Sequence, residues 1–509
     1  MHVICTAGHV DHGKSTLVEA LTGMHPDRLA EEREREMTID LGFAWLTLPE
    51  IGEVSIVDVP GHRDFIGNML AGVGAVAAAL LVVAADEGIM PQTEEHLAIL
   101  DLMHIEHGVV ALAKTDLAES PEWVQLVADE VALRLADTSL AGARVVPLSA
   151  LTGEGVPELG QALLECLRAQ PRRPDLGKPR LSVDRVFTVA GFGTVVTGTL
   201  LEGSLSVGDE VEILPVGYRA RIRGLHTHGT PLEMAAPGAR VAINMTGVGK
   251  DELHRGAVVA RPGSLQATRR VDVSFRLLSG EHNSIPLRHN EQVKLFVGSA
   301  EEMARVRGLS ARRLRPGETG WLQLELSRPV AVLKGDRFIL RRPSPGVTMG
   351  GGAIVDAHPR RRHRLQDTAV LQRLQIMARG SADEILLQAL DVGGVPSLRE
   401  ALAASGLDDE QAREALASLS AAGELLALGE AALKLTPRSN VLVLSRGRYA
   451  LLLQQLRGLL AAHHCAHPLR AGMPREELKS RLGLPARAFN ALIKHCTGAG
   501  DLAESGVSL

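Results

Sequence analysis

Gly8 and Lys14 stand six positions apart in Gly8-His9-Val10-Asp11-His12-Gly13-Lys14-Ser15, and that spacing can grip a chain of phosphates. Glycine is needed at both ends because backbone N–H groups must turn inward around phosphate oxygens. Asp11, His12 and Gly13 form the far side of this loop. Lys14 sets a point charge against the outer phosphates. The Ser15 hydroxyl can ligate Mg²⁺. The helix that begins here, with Thr16 in its first turn, offers its N-terminus to the anion. Three further stretches extend the chemistry. In Asp58-Val-Pro-Gly61, followed by His62, Asp58 can hold Mg²⁺ through water, the Gly61 N–H can reach a γ-phosphate, and His62 can orient the attacking water as the catalytic residue. In Lys114-Thr-Asp116, the Asp116 carboxylate can accept hydrogen bonds from N1–H and the exocyclic amine of guanine, a pattern that adenine reverses. The Lys114 stem can lie along the base, and Ser149-Ala150 can offer a backbone contact to guanine O6. Thr38 can complete the Mg²⁺ shell only when a γ-phosphate is present, which makes it the sensor of a switch. The chemistry expected is GTP binding with hydrolysis to GDP.

Elements able to position these residues can be read around them. Apolar runs at Val3–Ala7, Ser55–Asp58, Ala79–Ala84, Gly108–Ala113 and Val145–Leu148 alternate with amphipathic stretches such as Gln92–Met103 and Pro121–Ala136. This pattern predicts a parallel sheet covered on both faces, so residues 1–171 form an α/β P-loop GTPase domain. Gln170-Pro-Arg-Arg-Pro-Asp175 reads as a linker. From 177 to 358, short Val-, Thr- and Leu-rich runs punctuated by glycine predict two antiparallel β-barrels, 177–262 and 263–358, with the boundary placed at Pro262-Gly263. Beyond 365 the chain turns Leu- and Ala-rich with helical spacing. Two similar α+β units are expected to be winged-helix modules, 365–437 and 445–509. Each has a long helix, a helix-turn-helix and a glycine-containing ribbon (Gly423 to Leu435; Gly498 to Leu509).

Bulk composition narrows the setting. The 509 residues carry a net charge of −5, too mild and of the wrong sign for a chain that coats nucleic acid by charge alone. Aromatics make up only 3%, so small aliphatic side chains must fill the cores. Four widely spread cysteines imply no disulfide framework. No signal-peptide pattern precedes Val3, and the longest apolar run, Ala75 to Ala85, is too short to cross a bilayer. A cytoplasmic, membrane-free monomer is expected.

Taken together, Gly8-His-Val-Asp-His-Gly-Lys-Ser-Thr16 and Asp58-Val-Pro-Gly-His62 resemble the translational GTPases of the elongation factor Tu group. Several segments are similar more narrowly to the SelB family of selenocysteine-specific elongation factors: Asp27-Arg-Leu-Ala-Glu-Glu with Met37-Thr-Ile-Asp-Leu-Gly-Phe43, the stretch Val183 to Gly198, Ser344 to Gly352, and His467-Pro-Leu-Arg-Ala-Gly-Met473. The resemblance spans essentially the whole chain. It implies delivery of selenocysteinyl-tRNA to the ribosome at a recoded UGA codon, with GTP hydrolysis releasing the tRNA. It also implies a selenocysteine pocket on the first barrel, falling here on Asp184, Arg185 and Arg240. A selenol is largely ionised at neutral pH and a serine hydroxyl is not, so a cationic pocket can tell them apart. Related GTPases that carry another tRNA, or that serve sulfate adenylyltransferase, share the first three domains but need no winged helices.

Three departures from the family pattern stand out. Ala113 occupies the place of an asparagine that braces the phosphate loop, so weaker nucleotide binding is expected. Glu36 replaces a glycine before the Met-Thr pair. Only two winged-helix modules are found where the family uses four, the last two binding an mRNA insertion-element hairpin; that partner is left open. His463-His-Cys-x-His467 fits no zinc spacing and reads as a helix end with surface histidines. Arg360–Arg364 reads equally as a phosphate-contacting strip and as a solvated linker.

Overall fold

The computed structural model describes residues 1–26, 38–171, 173–189, 191, 193–280, 284–391, 394–428, 435–437, 439–470 and 472–504. The stretch that begins at Asp27, together with Glu36, Met37, Phe192 and residues 505–509, lies outside the described residues. The chain divides into two units, Met1–Asp367 and Thr368–Leu509. Among the described residues no helix is long and apolar enough to cross a membrane.

The first unit opens with a six-stranded sheet: β1 (His2–Gly8), β2 (Gly42–Leu48), β3 (Gly52–Asp58), β4 (Ala78–Ala84), β5 (Gly108–Ala113) and β6 (Arg144–Pro147), in the order β2-β3-β1-β4-β5-β6. Helices α1 (Lys14–Thr22), α2 (Ile66–Val73), α3 (Pro91–Leu102), α4 (Pro121–Leu135) and α5 (Val156–Arg168) run between and after these strands. Strand β4, with sequence AALLVVA, is buried at every position, as a central strand covered on both faces must be. Helix α4 starts where Ser120 Oγ accepts from the Trp123 N–H and Pro121 takes the first turn. The register sets Gly8 opposite Val82 and Ala84 opposite Ala113, so the carboxyl ends of β1, β4 and β5 open at one edge. Ligands of open α/β sheets bind at that edge.

One expectation needs correction. The sheet is not wholly parallel, because β2 pairs antiparallel with β3, setting Gly42 opposite Asp58. A strand at the rim, joined by a tight hairpin, has no need of a helical crossover. Strand β6 also runs from Arg144 to Pro147, one residue earlier than expected.

Two barrels complete the unit. The first contains β7 (Arg180–Val189), β8 (Gly193–Leu201), β9 (Glu210–Leu214), β10 (Tyr218–Thr227), β11 (Arg240–Thr246) and β12 (Val258–Ala260). They pair in the order β9-β12-β7-β8-β11-β10, and β10 returns to β9 to close the ring. The second is a closed barrel of β13 (Ala267–Leu277), β14 (Gln292–Val297), β15 (Ala300–Gly308), β16 (Thr319–Ala331), β17 (Arg337–Arg341) and β18 (Thr348–Asp356), ordered β13-β16-β15-β14-β17-β18. The GTPase domain and the second barrel share apolar packing. Phe296 and Ile339 of the barrel join the cluster that holds Met69, Leu70 and Leu102. Arg180 of β7 pairs with Glu202 at 2.8 Å and with Asp336 at 2.6 Å, bridging the two barrels.

In the basic run after β18 the four arginines are exposed, while His363 turns inward. His363 Nε2 lies 2.8 Å from Asp272 Oδ2, with both side chains buried, and Arg362 Nε lies 2.5 Å from Glu325. These charges hold the segment against the second barrel.

The second unit contains α6 (Thr368–Arg379), α7 (Ala382–Asp391), α8 (Leu398–Ser405), α9 (Asp409–Ala421), β19 (Leu425–Leu428), β20 (Leu442–Ser445), α10 (Arg446–Ala466), α11 (Arg475–Leu482) and α12 (Ala486–Gly498). Capping boxes start α8 (Ser397 with Glu400) and α9 (Asp408 with Gln411). The first ribbon is β19 paired with β20, so its second strand falls at Leu442–Ser445, beyond the expected end at Leu435. No strand follows Gly498 among the described residues, and the expected second ribbon is unsupported there. His463 is 3% exposed and belongs to the core face of α10, not to the surface. Among the described residues no group of histidine, cysteine and carboxylate side chains is disposed to hold a metal.

Candidate functional site

The phosphate loop leaves β1 at Gly8, whose φ is 136°. A Cβ there would stand 2.2 Å from Val82 O, so the close approach to β4 requires glycine. Gly13 takes a left-handed φ of 82° immediately before α1, and no side chain caps that helix. Its first N–H groups are thus left for an anion. Lys14 is buried and curls back over the loop, donating from Nζ to His9 O at 2.6 Å and to Gly8 O at 3.2 Å. Gly61 packs against the same loop: a Cβ at that position would fall 2.5 Å from Lys14 Nζ and 2.6 Å from Val10 N. Asp11, exposed and with φ 63°, sits at the tip.

Oxygen donors gather beside α1. Ser15 Oγ is 2.7 Å from Asp58 Oδ2 and 2.9 Å from Thr38 Oγ1. Asp58 is fully buried, and its Oδ1 accepts from Thr6 Oγ1 at 2.7 Å. A carboxylate with two hydroxyls is the hard donor set that Mg²⁺ prefers, so these residues fit that ion. His62 stands apart. Its side chain is 35% exposed, Nδ1 accepts from the Asp64 N–H at 3.3 Å, and the ring leans on Phe65.

The residues expected to recognise the base sit at the ends of β5 and β6. Lys114 adopts a left-handed φ of 57°, which turns the chain sharply after Ala113 and leaves Asp116 exposed. The Thr115 N–H donates to Leu148 O at 3.2 Å, bringing Ser149 and Ala150 beside that turn. Buried Ser149 holds its own loop by accepting at Oγ from the Thr152 N–H.

Some residues that shape this site were not singled out from the sequence. His96 Nδ1 accepts from the Gly8 N–H at 3.0 Å, and Gln92 Oε1 accepts from the Val10 N–H at 2.9 Å. The two sit four residues apart on α3, hence on one face, and brace the phosphate loop from outside. That i, i+4 polar pair, with His96 set among buried apolar positions of the helix, was the available signal. His12 is buried, and its Nδ1 accepts from the Ala84 N–H at 3.2 Å. Burial pushes both imidazoles down to about 3, so both rings are neutral. None of these braces involves position 113.

The three residues expected on the first barrel do come together. Arg240 makes a two-pronged pair with Asp184, Nη1 and Nη2 each donating to a carboxylate oxygen, the longer bond at 3.0 Å. Thr197 Oγ1 donates to Asp184 Oδ1 at 2.7 Å. Burial alone would raise the Asp184 carboxyl, but Arg240, Thr197 and Arg185 more than offset it and hold it below the usual range. Arg185 instead reaches the GTPase domain, donating from Nη2 to Leu41 O at 2.9 Å and to Asp40 Oδ2 at 3.3 Å. Phe43 of β2 lies under both guanidiniums, 3.6 Å from that of Arg240 and 4.9 Å from that of Arg185. These arginines edge a cavity of about 500 Å³ whose other walls include Phe43, Trp45, Phe187 and His226. His228 fixes one rim of it: the ring stacks on Trp45, Nε2 is 2.7 Å from Ser55 Oγ, and Nδ1 is 2.9 Å from Glu53 Oε2.

With this geometry in hand, known proteins can be compared. The description "Elongation factor Tu GTP binding domain" matches residues 1–169, and "Elongation factor Tu domain 2" matches 193–260. "Selenocysteine-specific elongation factor, beta-barrel domain" matches 273–361, and "Elongation factor SelB, winged helix" matches 457–509. The selenocysteine-specific elongation factor of Desulfomicrobium baculatum is 45% identical over 396 residues, covering 77% of this chain and 61% of that protein. The chain therefore spans about three fifths of that relative's length. Elongation factor Tu 2 of Streptomyces avermitilis is 34% identical over 377 residues, covering 69% of this chain and 95% of that protein. The crystal structure of a bacterial selenocysteine-specific elongation factor, EF-Sec, matches in fold with a TM-score of 0.67 at 23% identity, over 100% of this chain and 99% of that one. An elongation factor Tu-type nucleotide domain and first barrel, followed by a SelB-type second barrel and winged helix, place this chain in the SelB family of elongation factor Tu-like translational GTPases.

Proposed function

We propose that this chain is a GTP-hydrolysing switch that carries selenocysteinyl-tRNA to the ribosome at recoded UGA codons, releasing the tRNA after hydrolysis. The observation that carries the reading is the pair Arg185 and Arg240, set at the edge of a largely apolar cavity on the first barrel beside the GTPase domain. A selenolate is anionic where a serine hydroxyl is neutral, so these guanidiniums favour the first. Asp184 keeps Arg240 in place and tempers its charge.

In the nucleotide site, the loop from Asp11 to Thr16 binds the phosphates, with Lys14 against the outer ones. Asp116 selects guanine, supported by Lys114, Ser149 and Ala150. Ser15 and Thr38 would hold Mg²⁺, with Asp58 acting through water; when bound, the ion neutralises phosphate charge. Gly61 offers its N–H to the γ-phosphate, and His62 orients the attacking water once it turns from Asp64 toward the loop. The domain limits we assign are 1–171 for the GTPase domain, 177–262 and 263–358 for the barrels, and 365–437 and 445–509 for the winged-helix modules, the first extended to Ser445 to take in the second strand of its ribbon. The setting is cytoplasmic and the factor acts as a monomer.

The test is a competition between selenocysteinyl-tRNA and seryl-tRNA for the protein loaded with a non-hydrolysable GTP analogue. Strong preference for the selenocysteinyl form is expected. Equal affinity would sink the cargo assignment and leave a carrier of another tRNA.

A further inference from the structure

Ile39, Asp40 and Leu41 lead from Thr38 toward Phe43 of the arginine pocket, and each is tied down. Thr38 Oγ1 stands 2.9 Å from Ser15 Oγ, within the group of oxygens beside α1. Ile39 O accepts from Asn68 Nδ2 at 2.7 Å. Asp40 Oδ2 accepts from Arg185 Nη2 at 3.3 Å, and Asp40 Oδ1 lies 3.7 Å from Arg255 Nη1. Leu41 O accepts from the same Arg185 nitrogen at 2.9 Å. Arg255 also donates to Asn68 Oδ1 at 2.8 Å and to Asn68 O at 3.1 Å. Asn68 belongs to α2, the helix that follows Gly61 and His62. Both stretches expected to respond to the γ-phosphate therefore converge on two arginines of the first barrel.

We propose that Asp40 is the positioning residue that lets the phosphate site govern the arginine pocket. The inference rests on the reading of that pocket as the site for the aminoacyl group. Two residues of extended chain span at most about 7 Å, so Asp40 cannot stay in place if Thr38 moves far. With Thr38 held at Ser15, Asp40 and Leu41 O together fix the Arg185 guanidinium at the cavity edge. With Thr38 released, Arg185 loses both acceptors and its fixed direction, and the pocket no longer meets its cargo preorganised. Charge supports the same conclusion. Arg185 and Arg255 both face Asp40, and Arg240 faces Asp184, so the charge on Asp40 bears directly on the arginine at the cavity edge. Linkage requires the reverse effect as well: cargo seated against Arg185 must tighten the hold on GTP relative to GDP by the same factor.

The experiment measures the affinity of the full chain for selenocysteinyl-tRNA with a non-hydrolysable GTP analogue and with GDP. Wild type, Asp40→Asn, Asp40→Glu and Asn68→Ala are compared. The wild-type ratio of the two affinities is expected to be large. Asp40→Asn should shrink it by about 5-fold or more, within the usual range of coupling between sites. GDP affinity and melting temperature should stay at the wild-type level. Asp40→Glu should restore part of the ratio, which a merely structural role would not predict. Asn68→Ala, which removes the bond from Asn68 Nδ2 to Ile39 O and keeps the Asp40 side chain, should move the ratio in the same direction and carries the test if Asp40→Asn fails to fold. A wild-type ratio in Asp40→Asn, or in Asn68→Ala should only that variant fold, overturns the linkage. Equal binding of seryl-tRNA by the wild type overturns the cargo reading alone, because the ratio measured with either tRNA still judges Asp40.

Discussion

The guanidinium of Arg240 lies 3.6 Å from the centre of the Phe43 ring, so a cation of the first barrel rests on a side chain of the GTPase domain. The contact gives β2 a role that its place at the sheet edge does not. It also seats one face of the guanidinium on the ring, while Asp184 holds its edge through two in-plane hydrogen bonds.

Phe43→Leu keeps apolar volume and removes the ring quadrupole. A cation–π contact is worth about 0.5–2 kcal/mol, so affinity for selenocysteinyl-tRNA should fall about 2- to 30-fold. Nucleotide affinity measured without tRNA should not change, because the ring of Phe43 serves the two arginines of the cavity. Titration calorimetry with the loaded protein checks both statements. A variant that binds the tRNA as wild type does would remove Phe43 from the pocket.

Phe43 also shows where sequence reading stops. The phosphate loop, Asp58 to His62, and Lys114 to Asp116 are local patterns at strand ends, so their residues and elements could be read together. Phe43 and Arg240 are distant in sequence, and only the packing of barrel on sheet brings them together. Strand β2 was missed because its neighbours gave a parallel α/β pattern, and a hairpin at the rim breaks that pattern without a strong local mark. The face of α10 was legible in principle. His463 follows Leu456 and Leu460 at helical spacing, and all three are buried. Its polarity argued for the surface, and the periodicity prevailed. The ribbon strand Leu442–Ser445 ends directly on the N-cap of α10, where Ser445 Oγ accepts from the Arg448 N–H at 2.9 Å. With no loop between strand and helix, the boundary carried no turn signal.

Asp116→Asn should change which nucleotide is bound. The carboxylate accepts from N1–H and the 2-amino group of guanine; asparagine offers one acceptor and one donor. That pair suits N1–H beside the carbonyl of xanthine. Charged hydrogen bonds contribute about 1.5–3 kcal/mol each, so GTP affinity should fall about 10²- to 10⁴-fold while affinity for xanthosine triphosphate rises. Competition against a fluorescent guanine nucleotide measures both. Retention of GTP affinity would mean that Asp116 does not meet the base.

Acid should loosen the GTPase domain through His96. Its imidazole is pushed from 6.5 down to about 3 by burial, the charges of Lys14 and His9 adding to the effect. The unfolded chain takes up a proton as pH drops below 6.5 and the folded chain does not, so stability is intact above that value and lost as pH falls. The loss should amount to about 1.4 kcal/mol per pH unit for this one group. His96→Asn keeps an acceptor for the Gly8 N–H and removes the titration. Denaturant melts from neutral to mildly acidic pH should show a shallower acid slope in the variant by that amount. Equal slopes would mean that His96 is not the group responsible.

His62→Ala should separate hydrolysis from binding. In the structure the ring accepts from the Asp64 N–H and leans on Phe65. Removing it should therefore leave GTP and GDP affinities as they are. Its assigned work is to orient water in the transition state, a contribution of about 10²- to 10⁴-fold for a positioned side chain, so ribosome-stimulated hydrolysis should slow by that factor. His62→Gln retains a group able to hold water and should lose less. Single-turnover hydrolysis on programmed ribosomes reads the rate, and equilibrium titration reads the affinity. If the alanine variant hydrolyses GTP at the wild-type rate, the water is oriented by some other group and His62 is a loop residue capping the turn at Asp64.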